Sequence, residues 1–145
     1  MEVSSPVGIE IWHIAIPVDD LERAVKFYHR ALGFELIGRD EYPSMRQAFV
    51  ALGRGGFTIE LFLPLGEEEK KPRLRPDHLA FECGDIEAYR SRLVKNGLSV
   101  PEIETFDSGM KHFEVRDPDG VKLDFFQGRV LYDDFLSRGL SDDNG

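Results

Sequence analysis

Two histidines and two carboxylates occupy matched places in a sequence that repeats itself. His13 returns 65 positions later as His78, and the same offset pairs Ala15 with Ala80, Asp20 with Asp85, Leu21 with Ile86 and Glu22 with Glu87. With one residue deleted, an offset of 64 lays Gly56-Phe57-Thr58-Ile59-Glu60-Leu61-Phe62 over Gly120-Val121-Lys122-Leu123-Asp124-Phe125-Phe126. His13, Glu60, His78 and Asp124 are therefore delivered as two equivalent pairs. Two neutral imidazoles and two carboxylates balance one divalent cation and leave up to two positions of an octahedron for water or substrate oxygens. That donor set suits nickel, zinc, cobalt, manganese or ferrous iron, and suits calcium poorly.

The elements that must position these residues follow from periodicity. Residues 9–18 read as a strand with Trp12, Ile14, Ile16 and Val18 on the face for helix packing, and Ile11, His13 and Ala15 on the other. Asp19 or Asp20 caps a helix whose Leu21, Ala24, Val25, Tyr28 and Leu32 recur at helical spacing up to Gly33. Strands are expected over 34–39, 45–52 and 57–63. Glu60 sits in an apolar run where a bare carboxylate would be costly, so it calls for a cation. The charge- and proline-rich stretch 66–76 reads as a surface linker. Beyond it the pattern repeats: a strand over 77–83 bearing His78, a helix over about 85–96 stopped by Gly97, and strands near 98–100, over 110–116 and over 121–126. At the 64 offset Phe113 aligns with Phe49, and His112, Glu114 and Arg116 form a polar row on the ligand side.

The fold class is thus α+β, with strand-helix-three-strand modules at 9–65 and 77–127 in one domain of 145 residues. The extension 128–145 is expected to carry a short helix with Val130, Leu131, Phe135 and Leu136 as its apolar residues, and disorder beyond Gly139.

A formal charge of -9 argues against nucleic acid or an anionic membrane as partner. One cysteine, Cys83, excludes an internal disulfide and reads as core filler. No apolar run approaches the ~18 residues of a membrane span, and no export signal opens the chain, so a cytoplasmic location is expected. His29, without a repeat partner, reads as a surface residue. Arg46, His112 and Arg116 are the candidates for contacting a small-molecule substrate, since an anionic one would need cationic partners in an acidic protein.

With His13, Glu60, His78, the segment Asp117-Pro118-Asp119-Gly120-Val121-Lys122-Leu123-Asp124, and the opening Val18-Asp19-Asp20-Leu21-Glu22-Arg23-Ala24 in view, the chain resembles the vicinal oxygen chelate superfamily over residues 9–127. Phe27-Tyr28 and Ala31-Leu32-Gly33-Phe34 add to the likeness. That superfamily includes glyoxalase I, methylmalonyl-CoA epimerase, fosfomycin resistance proteins and extradiol dioxygenases. The resemblance implies a cupped eight-stranded mixed sheet around one divalent metal, often in a homodimer, with His13, Glu60, His78 and Asp124 as ligands. Asp124 stands where glutamate is usual; one methylene shorter, it would bind at a distance, through a water or in a shifted pocket. Carboxylate at Glu60 looks like glyoxalase I, a lyase whose ligand carboxylate moves a proton; Glu60 or Asp124 would be the base. A ferrous dioxygenase would use His13, His78 and Asp124, with Glu60 crowding it. A non-catalytic binding protein, like the bleomycin-sequestering relatives, is the third reading.

Overall fold

The computed structural model describes Gly8, residues 11–53 and residues 56–128. The extension from residue 129, with its expected helix, lies outside the described residues. The chain forms β1 (His13–Pro17), α1 (Leu21–Val25) continued by a π-helical stretch (Lys26–Ala31), β2 (Glu35–Tyr42), β3 (Met45–Ala51) and β4 (Thr58–Pro64). After a 3-10 turn (Gly66–Lys70) the order recurs as β5 (His78–Glu82), α2 (Ile86–Lys95), β6 (Glu104–Thr105), β7 (Lys111–Arg116) and β8 (Lys122–Gln127). The eight strands divide into two four-stranded mixed sheets, ordered β1-β4-β3-β2 and β5-β8-β7-β6. In each, the first and last strands of the module run parallel and the remaining pairs are antiparallel.

The repeat is visible in the caps. Asp20 and Asp85 each accept a hydrogen bond at 3.0 Å from the backbone N–H three residues on, satisfying one of the donors a helix start leaves bare. Past α1 the coil widens: Leu32 N–H donates to Phe27 O, five residues back, at 2.9 Å. Gly33, at φ +85°, then turns the chain into β2 through a conformation that a side chain would strain.

One apolar cluster runs through both modules. Ile16, Val18, Tyr28, Ile59 and Leu61 of the first join Ile86, Leu93, Phe113, Leu123 and Phe125 of the second. Two tyrosines tie the modules reciprocally. Tyr28 OH donates to buried Asp117 Oδ2 at 2.6 Å, and Tyr89 OH donates to Leu32 O at 2.9 Å. Burial, then the Asp117 carboxylate, push the Tyr28 hydroxyl far above the ordinary phenol range, so it stays a donor.

Four readings of the sequence need correction. Trp12 precedes β1 and is 74% exposed, stacked near-parallel to Phe49 with ring centroids 6.4 Å apart, instead of packing under the helix. The expected strand at 98–100 is absent because Arg90 takes the carbonyls of Val100 and Pro101 at 2.9 and 2.7 Å, and Pro101 has no N–H to pair. The strand forms at Glu104–Thr105. Phe49 is matched by Glu114, not Phe113: Phe49 pairs with Glu60 as Glu114 pairs with Asp124. The deleted residue therefore falls in the turn before β8. Finally, 66–76 is more than a tether. Arg73 and Arg75 donate to the carbonyls of Val18 and Pro17 at 3.1 and 3.0 Å, and both guanidiniums reach Asp19.

Candidate functional site

Strand alternation sets the site. In β4 Ile59 and Leu61 are buried in the core, so Glu60 points to the opposite, open face; in β8 Leu123 and Phe125 do the same for Asp124. The registers are equivalent: Ala15 lies beside Glu60 and Ala80 beside Asp124, with each histidine two residues before its alanine. The small alanines leave space in front of both carboxylates.

His13 Nε2 lies 3.1 Å from Glu60 Oε2, with both side chains largely buried. Trp12 and Phe49 stand edge-on to the imidazole at 4.3 and 5.5 Å between ring centroids, holding it over the carboxylate. His13 Nδ1 is buried and has no partner among the described residues. A neutral ring with its proton on Nε2, shared with Glu60, leaves only a lone pair bare at Nδ1. Two ligands about 2.1 Å from one ion and at right angles to each other stand about 3 Å apart, so a divalent metal could replace the proton between Nε2 and Oε2, with the ring proton then on Nδ1, which has no acceptor among the described residues.

The second module differs. His78 is about half exposed and its Nδ1 contacts Asp77 Oδ2 at 2.8 Å, which with the imidazole's charge draws the Asp77 carboxyl below its usual range. Asp124 is buried, and its Oδ1 lies 3.2 Å from His112 Nε2. His112 sits between the rings of Phe106 and Phe126, at 6.0 and 4.6 Å. Lys122 Nζ stands 3.9 Å from Asp124 Oδ2 and 4.0 Å from Glu114. The structure thus brings together His13 with Glu60 and His112 with Asp124, and leaves His78 apart. Among the described residues no three His, Cys, Asp or Glu side chains stand close enough to hold one ion.

Of the cationic candidates, Arg116 donates to Gly120 O at 3.1 Å and stands 3.8 Å from Glu114, on the open face. Arg46 pairs with Leu63, on the helix side of its sheet, and bonds Glu41 at 3.3 Å. His29 is exposed and bonds Phe34 O at 2.7 Å. A hollow of about 700 Å³ opens elsewhere, between Phe34, Leu52 and Phe57 of the first module and Leu79, Phe81 and Cys83 of the second. None of the His13, Glu60, His112 or Asp124 side chains lines it. Burial, then Glu82, push the Cys83 thiol up to about 11, which keeps it protonated and inert. The placement of Trp12 and Phe49 around His13 escaped the sequence reading; Phe49 carried a signal, since its alternation with Gln47 and Ala51 matches that of Glu60 across the ladder.

Two strand-helix-three-strand modules, each with a parallel outer pair and a histidine–carboxylate couple on its open face, define a class of small α+β proteins built by duplication. The chain belongs to the Glyoxalase/Bleomycin resistance protein/Dioxygenase superfamily, whose profile matches residues 10–125. A lactoylglutathione lyase of Neisseria meningitidis is 30% identical over 129 residues, covering 82% of this chain and 91% of that protein. An ethylmalonyl-CoA/methylmalonyl-CoA epimerase of Cereibacter sphaeroides is 35% identical over 95 residues, covering 61% of this chain and 71% of that one. Among solved structures, a superfamily member from Sphaerobacter thermophilus superposes with a TM-score of 0.68 at 25% identity, covering 83% of this chain and 98% of that one.

Proposed function

We propose that this protein is a metal-dependent lyase or isomerase of the glyoxalase I type, acting on a small substrate that presents two adjacent oxygens. The observation that carries the reading is the His13 Nε2–Glu60 Oε2 pair at 3.1 Å on the open face of the first sheet. A divalent ion there would supply Lewis acidity toward the substrate's oxygens. His13, Glu60, His78 and Asp124 are the residues that would hold it. Among the described residues the two couples do not converge, so their meeting would call for a homodimer in which one copy's first module faces the other's second.

Glu60 is the base. Its carboxylate, oriented by His13, takes the proton from the carbon that bears the hydroxyl and returns it to the neighbouring carbonyl carbon, while the hydroxyl proton passes to the other oxygen, so the isomerisation balances without any oxidant. Asp124, shorter by a methylene, is the second carboxylate. The named lactoylglutathione lyase and epimerase relatives support proton-moving chemistry of this kind.

The experiment is turnover of the methylglyoxal–glutathione adduct by protein loaded with nickel, zinc, cobalt, manganese or ferrous iron, with Glu60→Gln alongside. The amide keeps the shape and cannot accept a proton, so kcat is expected to fall by about 10²–10⁴-fold. Unchanged kcat in Glu60→Gln would remove Glu60 as the base.

A further inference from the structure

Resting on the metal-site reading above, we propose that His112 is the positioning residue of Asp124. It fixes the carboxylate by one oxygen so that the other is presented to the ion.

In the first module the carboxylate has the longer side chain and meets its own repeat histidine, Glu60 to His13 at 3.1 Å. In the second, Asp124 is shorter by one C–C bond, about 1.5 Å of reach. It meets His112 on the neighbouring strand instead, Nε2 to Oδ1 at 3.2 Å. A carboxylate this buried would be costly without a donor, and among the described residues His112 is the one at hydrogen-bond distance.

His112 is itself held. Phe106 and Phe126 flank its ring, and Glu104 Oε2 lies 4.0 Å from its Nδ1. In this arrangement Nε2 faces Asp124 and Nδ1 faces Glu104. Asp124 Oδ2 is left facing Lys122 Nζ at 3.9 Å, beyond hydrogen-bond length. Among the described residues that oxygen is held only by this ion pair, so a cation reaching it would displace the Lys122 ammonium. At the same pleat of the first module, opposite Phe62 as His112 is opposite Phe126, stands Gln47. At that pleat the second module carries an imidazole where the first carries an amide.

The test is titration of the full-length protein with Co²⁺, followed by visible absorption and by calorimetry. Removing a group that orients a ligand typically costs 10–100-fold in metal affinity, so His112→Ala is expected to weaken Co²⁺ binding by about that factor and to alter the cobalt spectrum. His112→Gln keeps an N–H donor near the Nε2 position and should recover affinity to within about threefold of the parent. His112→Phe fills the space between the two rings without a donor and should behave like alanine, which covers a failure of His112→Ala to fold. Parent-like affinity in both His112→Ala and His112→Phe overturns the proposal while leaving the metal reading intact. A glutamine variant as weak as alanine also overturns it, because His112 would then be a ligand itself. No Co²⁺ binding by the parent chain overturns the metal reading and this inference with it.

Discussion

His13 and His78 occupy the same place in two copies of one unit, and only the first reaches its carboxylate. The residue before each histidine accounts for much of the difference. Trp12 packs edge-on against His13 and, with Phe49, presses the ring over Glu60. Asp77 draws His78 outward by a 2.8 Å contact. Across the ladder the contrast repeats, since Phe49 is matched by Glu114. An apolar frame directs the first couple; a charged one has redistributed the second among Asp77, His112, Glu114 and Lys122. Duplicated strands thus conserve where a ligand's backbone stands, and neighbouring side chains decide where its donor atom points.

The largest expected effect separates the two couples directly. His13→Ala should lower Zn²⁺ affinity by about 100-fold or more, and His78→Ala by about tenfold, because His78 is half exposed and stands apart from its carboxylate. Calorimetric titration reads both. Asp77 holds Nδ1 and leaves Nε2 to a metal, so Asp77→Ala should weaken binding severalfold by releasing the ring, and unchanged binding in that variant would break the comparison.

The tyrosine ties compare the modules in another currency. Tyr28→Phe strands a buried carboxylate oxygen of Asp117, whose other oxygen keeps the N–H groups of Asp119 and Val121 at 2.9 Å each. A charged hydrogen bond lost in the core costs about 2–3 kcal/mol. Tyr89→Phe loses a neutral bond to a partly buried carbonyl and should cost about 1 kcal/mol. Urea unfolding of both variants checks the ratio.

Much of this was legible in the sequence. The offsets located both modules and all four candidate ligands and paired Asp20 with Asp85, because a repeat constrains register and strand alternation constrains facing; the sequence does not choose between Asp19 and Asp20 as the first cap. What the sequence did not show was pairing across space. Nothing local says that Asp124 meets His112 and not His78, since that choice turns on one methylene and on the Phe106 and Phe126 rings around the imidazole. The deletion before β8 was equally hidden: an offset of 64 holds for β4 and β8, and 65 holds for β3 and β7. The arginines of the linker read as ordinary solvated charge, and only the fold brings Arg73 and Arg75 to the end of β1.

That clasp supplies the smallest expected effect and the last contrast between modules. Arg75 Nη2 lies 3.2 Å from Asp19 of the first module and 3.5 Å from Asp119 of the second. Burial tends to raise the Asp19 carboxyl, but the Arg75 charge, the hydrogen bond with Asp119 and the Arg73 charge outweigh it and hold Asp19 low. Burial raises Asp119, and the Asp19 and Asp117 charges add to that against the help of the Asp19 N–H and Arg75. Its Oδ2 is buried without a hydrogen-bond partner among the described residues. The signs are therefore opposite. Asp19, lowered on folding, contributes stability above the ordinary carboxylate range and loses it as pH falls through its folded value. Asp119, raised on folding, favours the folded state in acid and loses that contribution as pH rises through its folded value. Asp119→Asn keeps an oxygen to accept from the Asp19 N–H at 3.1 Å and removes the charge that burial penalises. The variant should melt at or slightly above the parent's temperature at pH 7, and the gap should close as pH is lowered into the carboxylate range. A variant that melts well below the parent at pH 7 would mean that Asp119 is held as a carboxylate by Arg75 and that the two modules share their cation evenly.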